Sequence, residues 1–170
     1  MPKLIIIQGL SGTGKTTVSR LLSQKLHLPV LEYDSFLFGF HRFRPLKKKE
    51  HDIANKNLFS CLKNYFQEDK TILLEGALVA HDGRVNTFNL TSVIAFAKKH
   101  GYSVQHIILK ANKTVSYRRM KKRGSVVPLD VYEKLAKKIS KWLSKADKVV
   151  DTSKLTKEEM VKQVEGACLL

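Results

Sequence analysis

The sequence predicts an α/β fold in which a parallel sheet carries helices on both faces. Three observations predict it. Short apolar, β-branched runs alternate along the chain with segments of helical period. A glycine-rich stretch, GLSGTGKT at 9–16, joins the first such run to the first helical segment. The 170 residues, 43% apolar, hold no repeat, linker or low-complexity stretch, so a single domain over 1–170 is expected. Alternation of this kind implies parallel strands joined by right-handed crossovers.

The elements follow in order. Leu4 to Ile7 is a continuous apolar run, as a strand buried on both faces requires. Lys15 to His27 carries Val18, Leu21, Leu22 and Leu26 as a helical stripe that Pro29 stops. Val30 to Tyr33 is a short second strand, and Phe36 to Lys49, with Gly39 and Pro45, reads as irregular. A helix is expected from about His51 to Phe66, then a third strand at Thr71 to Leu74. Gly76 to Arg84 reads as loop, followed by a helix to about His100 that Gly101 closes. Ser103 to Leu109 is the fourth strand, and Lys113 to Lys122 a short basic helix ending at Arg123-Gly124. Pro128 opens another helix, with Leu129, Tyr132, Leu135, Ala136, Ile139, Trp142 and Leu143 on one face. Lys148 to Val150 is the fifth strand, and Thr156 with Glu159 forms a capping box before the last helix.

Composition narrows the classes. Lys plus Arg number 31 against 15 for Asp plus Glu, a net charge of +16. Such a surface concentrates polyanions, although a solvated lysine-rich surface has the same composition. Cys61 and Cys168 are far apart and show no metal or disulfide spacing, which favours a reducing interior. The first apolar run breaks at Gln8-Gly9, too early for a signal sequence or membrane span. A soluble, cytoplasmic protein without membrane contact is expected.

The glycine-rich stretch carries the chemistry. Gly9, Gly14, Lys15 and Thr16 match G-x-x-x-x-G-K-[ST]. Its glycines let consecutive N–H groups turn inward around a phosphate, and the following helix adds its positive N-terminal dipole. Lys15 is placed to reach the β- and γ-phosphates, and the Thr16 hydroxyl to ligate Mg²⁺. Ser11 and Thr13 are small enough not to obstruct the cradle, so Gly9, Ser11, Gly12, Thr13, Gly14, Lys15, Thr16 and Thr17 form the candidate nucleotide-binding set.

Nucleotide binding leaves the phosphate acceptor open. A guanine-reading Asn-Lys-x-Asp segment is missing, since Thr114-Val115 follow Asn112-Lys113, and the chain is short for a motor ATPase. A small kinase remains. Asp34, at the end of the second strand in VLEYD, is the candidate base, because open α/β sheets place ligands at the carboxyl ends of strands. Capping a turn at Ser35 is its alternative role. Glu75, ending the third strand, suits a contact to Mg²⁺ or orientation of the acceptor. Thr16, Asp34 and Glu75 together are the candidate metal set. In YRRMKKRG, Arg119 and Arg123 lie four apart on one helical face and would stabilise transition-state charge. The segment from about 117 to 128 would then be a short lid, with GSVVP as its hinge. The loop at Asp151-Thr152-Ser153 is expected near the phosphate loop, bordering the base.

With these residues placed, the chain resembles the P-loop kinases of the AAA-type small-kinase group that includes bacteriophage polynucleotide 5′-kinase and zeta-toxin-like enzymes. The likeness runs from about Lys3 to Leu143 and is most specific in FAKKHGY, RMKKRG and VPLDV. It implies a three-layer P-loop kinase fold with sheet order 2-3-1-4-5, ATP as donor and Mg²⁺ as cofactor. It also implies Asp34 as general base, with Lys15, Arg119 and Arg123 stabilising phosphate. Two places depart from the polynucleotide kinases. Leu37 stands where they carry an arginine, and Glu75-Gly76-Ala77 replaces an Asp-x-x-Asn-type segment. LLEG also resembles nucleoside kinases of the uridine and nicotinamide riboside kind.

A nucleic-acid 5′-hydroxyl or a nucleotide is the expected acceptor. Arg42, Arg44 and Lys47 to Lys49 supply charge, and Phe36, Phe38, Phe40 and Phe43 offer either a stacking platform or packing. A small alcohol in the partly apolar FLFGF region, or a nucleotide-binding regulator with little turnover, are the alternatives.

Overall fold

The computed structural model describes residues 1–38, 47–78, 90–124 and 127–168. In chain order these form β1 (Lys3–Gly9), α1 (Lys15–Leu26), β2 (Val30–Glu32), α2 (Tyr33–Phe38) and α3 (Lys48–Gln67). β3 (Ile72–Gly76), α4 (Leu90–Lys99), β4 (Ser103–Lys110) and α5 (Lys113–Lys122) follow. α6 (Leu129–Ser140), a 3₁₀ turn (Leu143–Lys145), β5 (Lys148–Asp151) and α7 (Lys157–Cys168) complete them.

The sheet is parallel in the order β2-β3-β1-β4-β5. This is the order that the resemblance implies. β1 is central, pairing Leu4 to Gln8 with Ile72 to Gly76 on one side and Lys3 to Gly9 with Ser103 to Leu109 on the other. Its alternate residues feed two cores. Leu4 and Ile6 pack with Leu58, Leu62 and Phe66 of α3 and with Val93 and Ala97 of α4. Ile5 and Ile7 pack with Val18 and Leu22 of α1 and with Met160 and Val164 of α7. The apolar run Leu4 to Ile7 is therefore buried on both faces, as its lack of alternation demands.

A polar relay crosses the sheet beneath its carboxyl end. His106 Nε2 lies 3.0 Å from Gln8 Oε1, and Gln8 Nε2 donates to Ala77 O at 2.8 Å. Burial pushes His106 down to about 4, so its ring is neutral at neutral pH.

Several element bounds differ from expectation. Residues 33–38, read as part strand and part irregular, form α2, and α3 begins at Lys48 rather than near His51. β2 stops at Glu32, because its register with β3 runs only from Val30–Leu73 to Glu32–Glu75. β3 extends through Glu75 to Gly76, since Ile7 and Gln8 of β1 remain paired with them. On α6, Tyr132 and Ile139 are buried as expected, but Leu129 and Leu143 are exposed. The helix ends at Ser140, so Trp142 and Leu143 leave its face. The capping box of α7 forms: Thr156 N donates to Glu159 Oε2 at 2.8 Å, and Glu159 N to Thr156 Oγ1 at 3.2 Å. Among the described residues no helix is long and apolar enough to cross a membrane.

Candidate active site

The phosphate loop leaves β1 at Gly9 and enters α1 at Lys15. Gly12 (φ 83°) and Gly14 (φ 97°) hold the left-handed backbone that the loop requires and that other residues resist. Thr13 is buried and donates from its hydroxyl to Leu10 O at 2.8 Å, tightening the loop. Gly14 caps α1 and accepts from Val18 N at 2.9 Å. Lys15 is largely buried, with Nζ 3.2 Å from Leu10 O, which keeps its ammonium folded over the loop. Ser11, Thr16 and Thr17 are half-buried at its rim.

Gly12 also fixes a neighbour. A Cβ built there would lie 2.4 Å from Ser116 O, so α5 packs directly on the loop backbone. Gly12→Ala therefore combines positive-φ strain with a backbone clash. It is expected to destabilise the fold by roughly 2–4 kcal/mol, read from urea unfolding.

Acid and hydroxyl meet on the far side of Lys15. Thr16 Oγ1 donates to Glu75 Oε1 at 2.9 Å, while Glu75 Oε2 is buried without a hydrogen-bond partner among the described residues. Glu75 is only 4% exposed. Burial pushes its carboxyl above the ordinary range. The Lys15 ammonium and the Thr16 hydrogen bond pull it back, and the charges of Asp34 and Glu32 push it up again. A buried carboxylate oxygen without a partner, beside a hydroxyl at a phosphate loop, fits a hard divalent cation that takes oxygen donors. Mg²⁺ characteristically uses one or two carboxylates together with phosphate and water, so the donor set suits it.

Asp34 does not end a strand. It stands in the first turn of α2, two residues past β2, and is exposed. It nevertheless lies close enough for its charge to act on Glu75 and on Tyr33. Tyr33 is buried and donates to Asn55 Oδ1 at 3.0 Å, which ties α2 to α3 behind the acid.

On the other side of the loop, Arg119 of α5 reaches it directly. Its Nη1 donates to Gly12 O at 3.3 Å and to Thr152 Oγ1 at 3.1 Å, and its Nη2 to Thr152 O at 2.7 Å. Arg123 lies one residue past the end of α5 rather than on the helix with Arg119. Both still line one cavity of about 550 Å³, together with Gly12, Gly14, Thr17, Lys122, Leu155, Lys157 and Met160. Thr152, after β5, was expected near the base only as part of its loop. Its hydroxyl donates to Thr13 O at 2.9 Å, a contact that a lone threonine cannot announce in sequence. The phosphate loop, Glu75, Asp34, Arg119 and Arg123 thus gather around one end of the sheet. Arg42, Arg44, Phe40 and Phe43 lie outside the described residues, as do Ser125 and Val126 of the expected hinge and the side chains of Phe38 and Lys48.

The pattern of the AAA domain family matches residues 4–146, from the first strand to the turn before β5. The chain belongs to the AAA domain family. This AAA domain shares its fold with P-loop kinases. A sugar kinase from a Janibacter species superposes with a TM-score of 0.72 at 15% identity, over 99% of this chain and 95% of that one. Shikimate kinase from Aquifex aeolicus gives 0.62 at 22% identity, over 98% and 96%. The Mycobacterium tuberculosis APS kinase, solved in complex with AMPPNP and APS, gives 0.66 at 15% identity, over 99% and 98%.

Proposed function

We propose that the protein is a Mg²⁺- and ATP-dependent kinase that transfers the γ-phosphate to a hydroxyl, with a nucleic-acid 5′-hydroxyl or a nucleotide as acceptor. One observation carries the transfer reading. A single phosphate loop is flanked by the Thr16–Glu75 pair with its partnerless oxygen and by a guanidinium bonded to the loop carbonyl.

Backbone N–H groups of Gly9 to Thr17 bind the polyphosphate, and the nucleoside extends into the cavity beside Arg119. Asp34 takes the proton of the acceptor hydroxyl as its oxygen attacks the γ-phosphorus. The bond to the bridging oxygen breaks and ADP leaves. Lys15, Arg119 and Arg123 oppose the negative charge spread over the transferred group, with 117–128 acting as a short lid. Thr16 and Glu75, with Asp34 on the acceptor side, would hold Mg²⁺, which when bound supplies further positive charge to the phosphate oxygens. Asp34 projects into solvent, open to an incoming substrate, whereas Glu75 is enclosed and unsuited to meet one.

The nucleic-acid reading rests on the net charge of +16, on the RMKKRG and VPLDV likeness, and on Lys122, Arg123 and Lys157 around the cavity. A small alcohol is the second reading. It is favoured by Leu37, packed half-buried against the core with Phe36 where an arginine would bind substrate phosphate. Sugar and shikimate kinases also share the fold.

Labelled ATP presented with a 5′-hydroxyl oligonucleotide, nucleosides, nucleotides and sugars decides between them. The expected result is phosphate on the oligonucleotide or nucleotide. For an oligonucleotide, affinity should fall with salt at a logarithmic slope of about −0.7 per phosphate contact. Transfer to a sugar or nucleoside alone, with a flat salt response, replaces the nucleic-acid reading. Lack of transfer to any alcohol, with slow release of phosphate to water, overturns the kinase reading.

A further inference from the structure

We propose that Thr152 is a positioning residue for nucleotide binding, its hydroxyl registering the Arg119 guanidinium to the phosphate loop. The inference rests on reading that loop as an ATP site and adds a residue that neither the motif nor the resemblance names.

Thr152 is fully buried at the carboxyl end of the sheet, immediately after β5. Its backbone N donates to Lys110 O at 2.8 Å, which seats it on the end of β4. Its hydroxyl donates to Thr13 O at 2.9 Å, inside the phosphate loop, with Lys110 O at 3.2 Å as the other carbonyl in reach. The same oxygen accepts from Arg119 Nη1, and the Thr152 carbonyl accepts from Nη2. One residue thus engages both terminal nitrogens of the arginine and the loop on which phosphate would lie.

A guanidinium is planar, with donors at fixed angles, so two bonds to one residue set its orientation as well as its place. Arg119 then stands as a fixed cation in the wall of the cavity next to the loop, which the apolar Leu155 and Met160 also line. A long side chain immobilised before the ligand arrives need not be ordered on binding, and affinity rises accordingly. Without the hydroxyl, Nη1 keeps only its 3.3 Å bond to Gly12 O, and Thr13 O loses its donor. The link that the hydroxyl makes between arginine and loop is then lost, while Nη2 keeps only the Thr152 carbonyl.

The test is ATP binding by calorimetry on the full chain for wild type, Thr152→Val and Thr152→Ser, each with its melting temperature. Thr152→Val is then repeated in an Arg119→Ala background. Thr152→Val should weaken ATP binding about 5–10-fold, the scale of one ordinary intramolecular hydrogen bond. Thr152→Ser should stay within about twofold, because it keeps the donor and acceptor. In the Arg119→Ala background the valine should add less than about twofold, since the two residues act as a unit. If Thr152→Val does not fold, Thr152→Ala, which removes the hydroxyl without adding bulk, replaces it under the same criteria. Wild-type affinity in the substituted protein, or an undiminished effect without Arg119, overturns the proposal alone. Failure of the wild type to bind ATP overturns the nucleotide reading and this proposal with it.

Discussion

Asp34→Asn should lower phosphoryl transfer roughly 10²–10⁴-fold, the usual contribution of a positioned general base. ATP affinity measured without Mg²⁺ should stay within about twofold of wild type, because the groups proposed to hold ATP lie on the loop and around the cavity. The substitution preserves shape and removes only basicity and charge. Asp34 is exposed at the start of α2, so a lost buried contact is not what slows the variant. A second consequence has a definite sign. Asp34 is among the charges that push the Glu75 carboxyl up, so removing it lets Glu75 lose its proton at lower pH. Single-turnover kinetics with saturating ATP checks the first claim, and the pH profile of Mg²⁺ dependence checks the second. A wild-type rate in Asp34→Asn removes Asp34 as the base.

The glycine-rich loop of the candidate site was legible in the sequence because its signals are local. A continuous apolar run, three glycines at fixed spacing and an amphipathic stripe specify strand, loop and helix with little help from the rest of the chain. The basic helix was legible for the same reason: Lys113 to Lys122 is bounded by an Asn112 cap, whose side chain accepts from Thr114 N at 2.8 Å, and by Gly124. Where the reading slipped, pairing with another strand decided the outcome. Asp34 moved from a strand end into a helix because β2 keeps only three paired residues, and six residues of α2 are too few to display a period. β3 runs one residue past Glu75 because β1 continues to pair as far as Gly76. Thr152 carried no signal, since its role depends on three partners, Thr13, Lys110 and Arg119, none adjacent to it in sequence. Arg123 shows the converse. The helix ends before it, yet Arg123 still lines the same cavity as Arg119, so the shared placement held although the helical spacing used to infer it did not.

Glu75→Gln should move stability and metal affinity in opposite directions. In the folded chain the Glu75 carboxyl titrates above its ordinary value, chiefly because it is buried. The unfolded chain therefore loses that proton first. As pH rises from the ordinary carboxylate range through the raised value, the folded state holds more protons than the unfolded one, and stability falls. Above that window the ionised Glu75 is a net cost, with Oε2 buried and unpartnered. Glutamine keeps the acceptor for Thr16 Oγ1 and discards the charge, so the unfolding midpoint at neutral pH without Mg²⁺ should rise. The wild-type loss of stability across that window should also be absent from the variant. Added Mg²⁺ and ATP should stabilise wild type more than the variant, because a ligand stabilises a fold according to its affinity for it. Metal affinity, and activity at limiting Mg²⁺, should drop by at least roughly 10–100-fold, the range found when even the groups that support a metal's ligands are altered. An acid present only for structure would lower stability when replaced and leave the Mg²⁺ titration unmoved. Denaturation with and without Mg²⁺-ATP, run beside that titration, separates the two roles for Glu75.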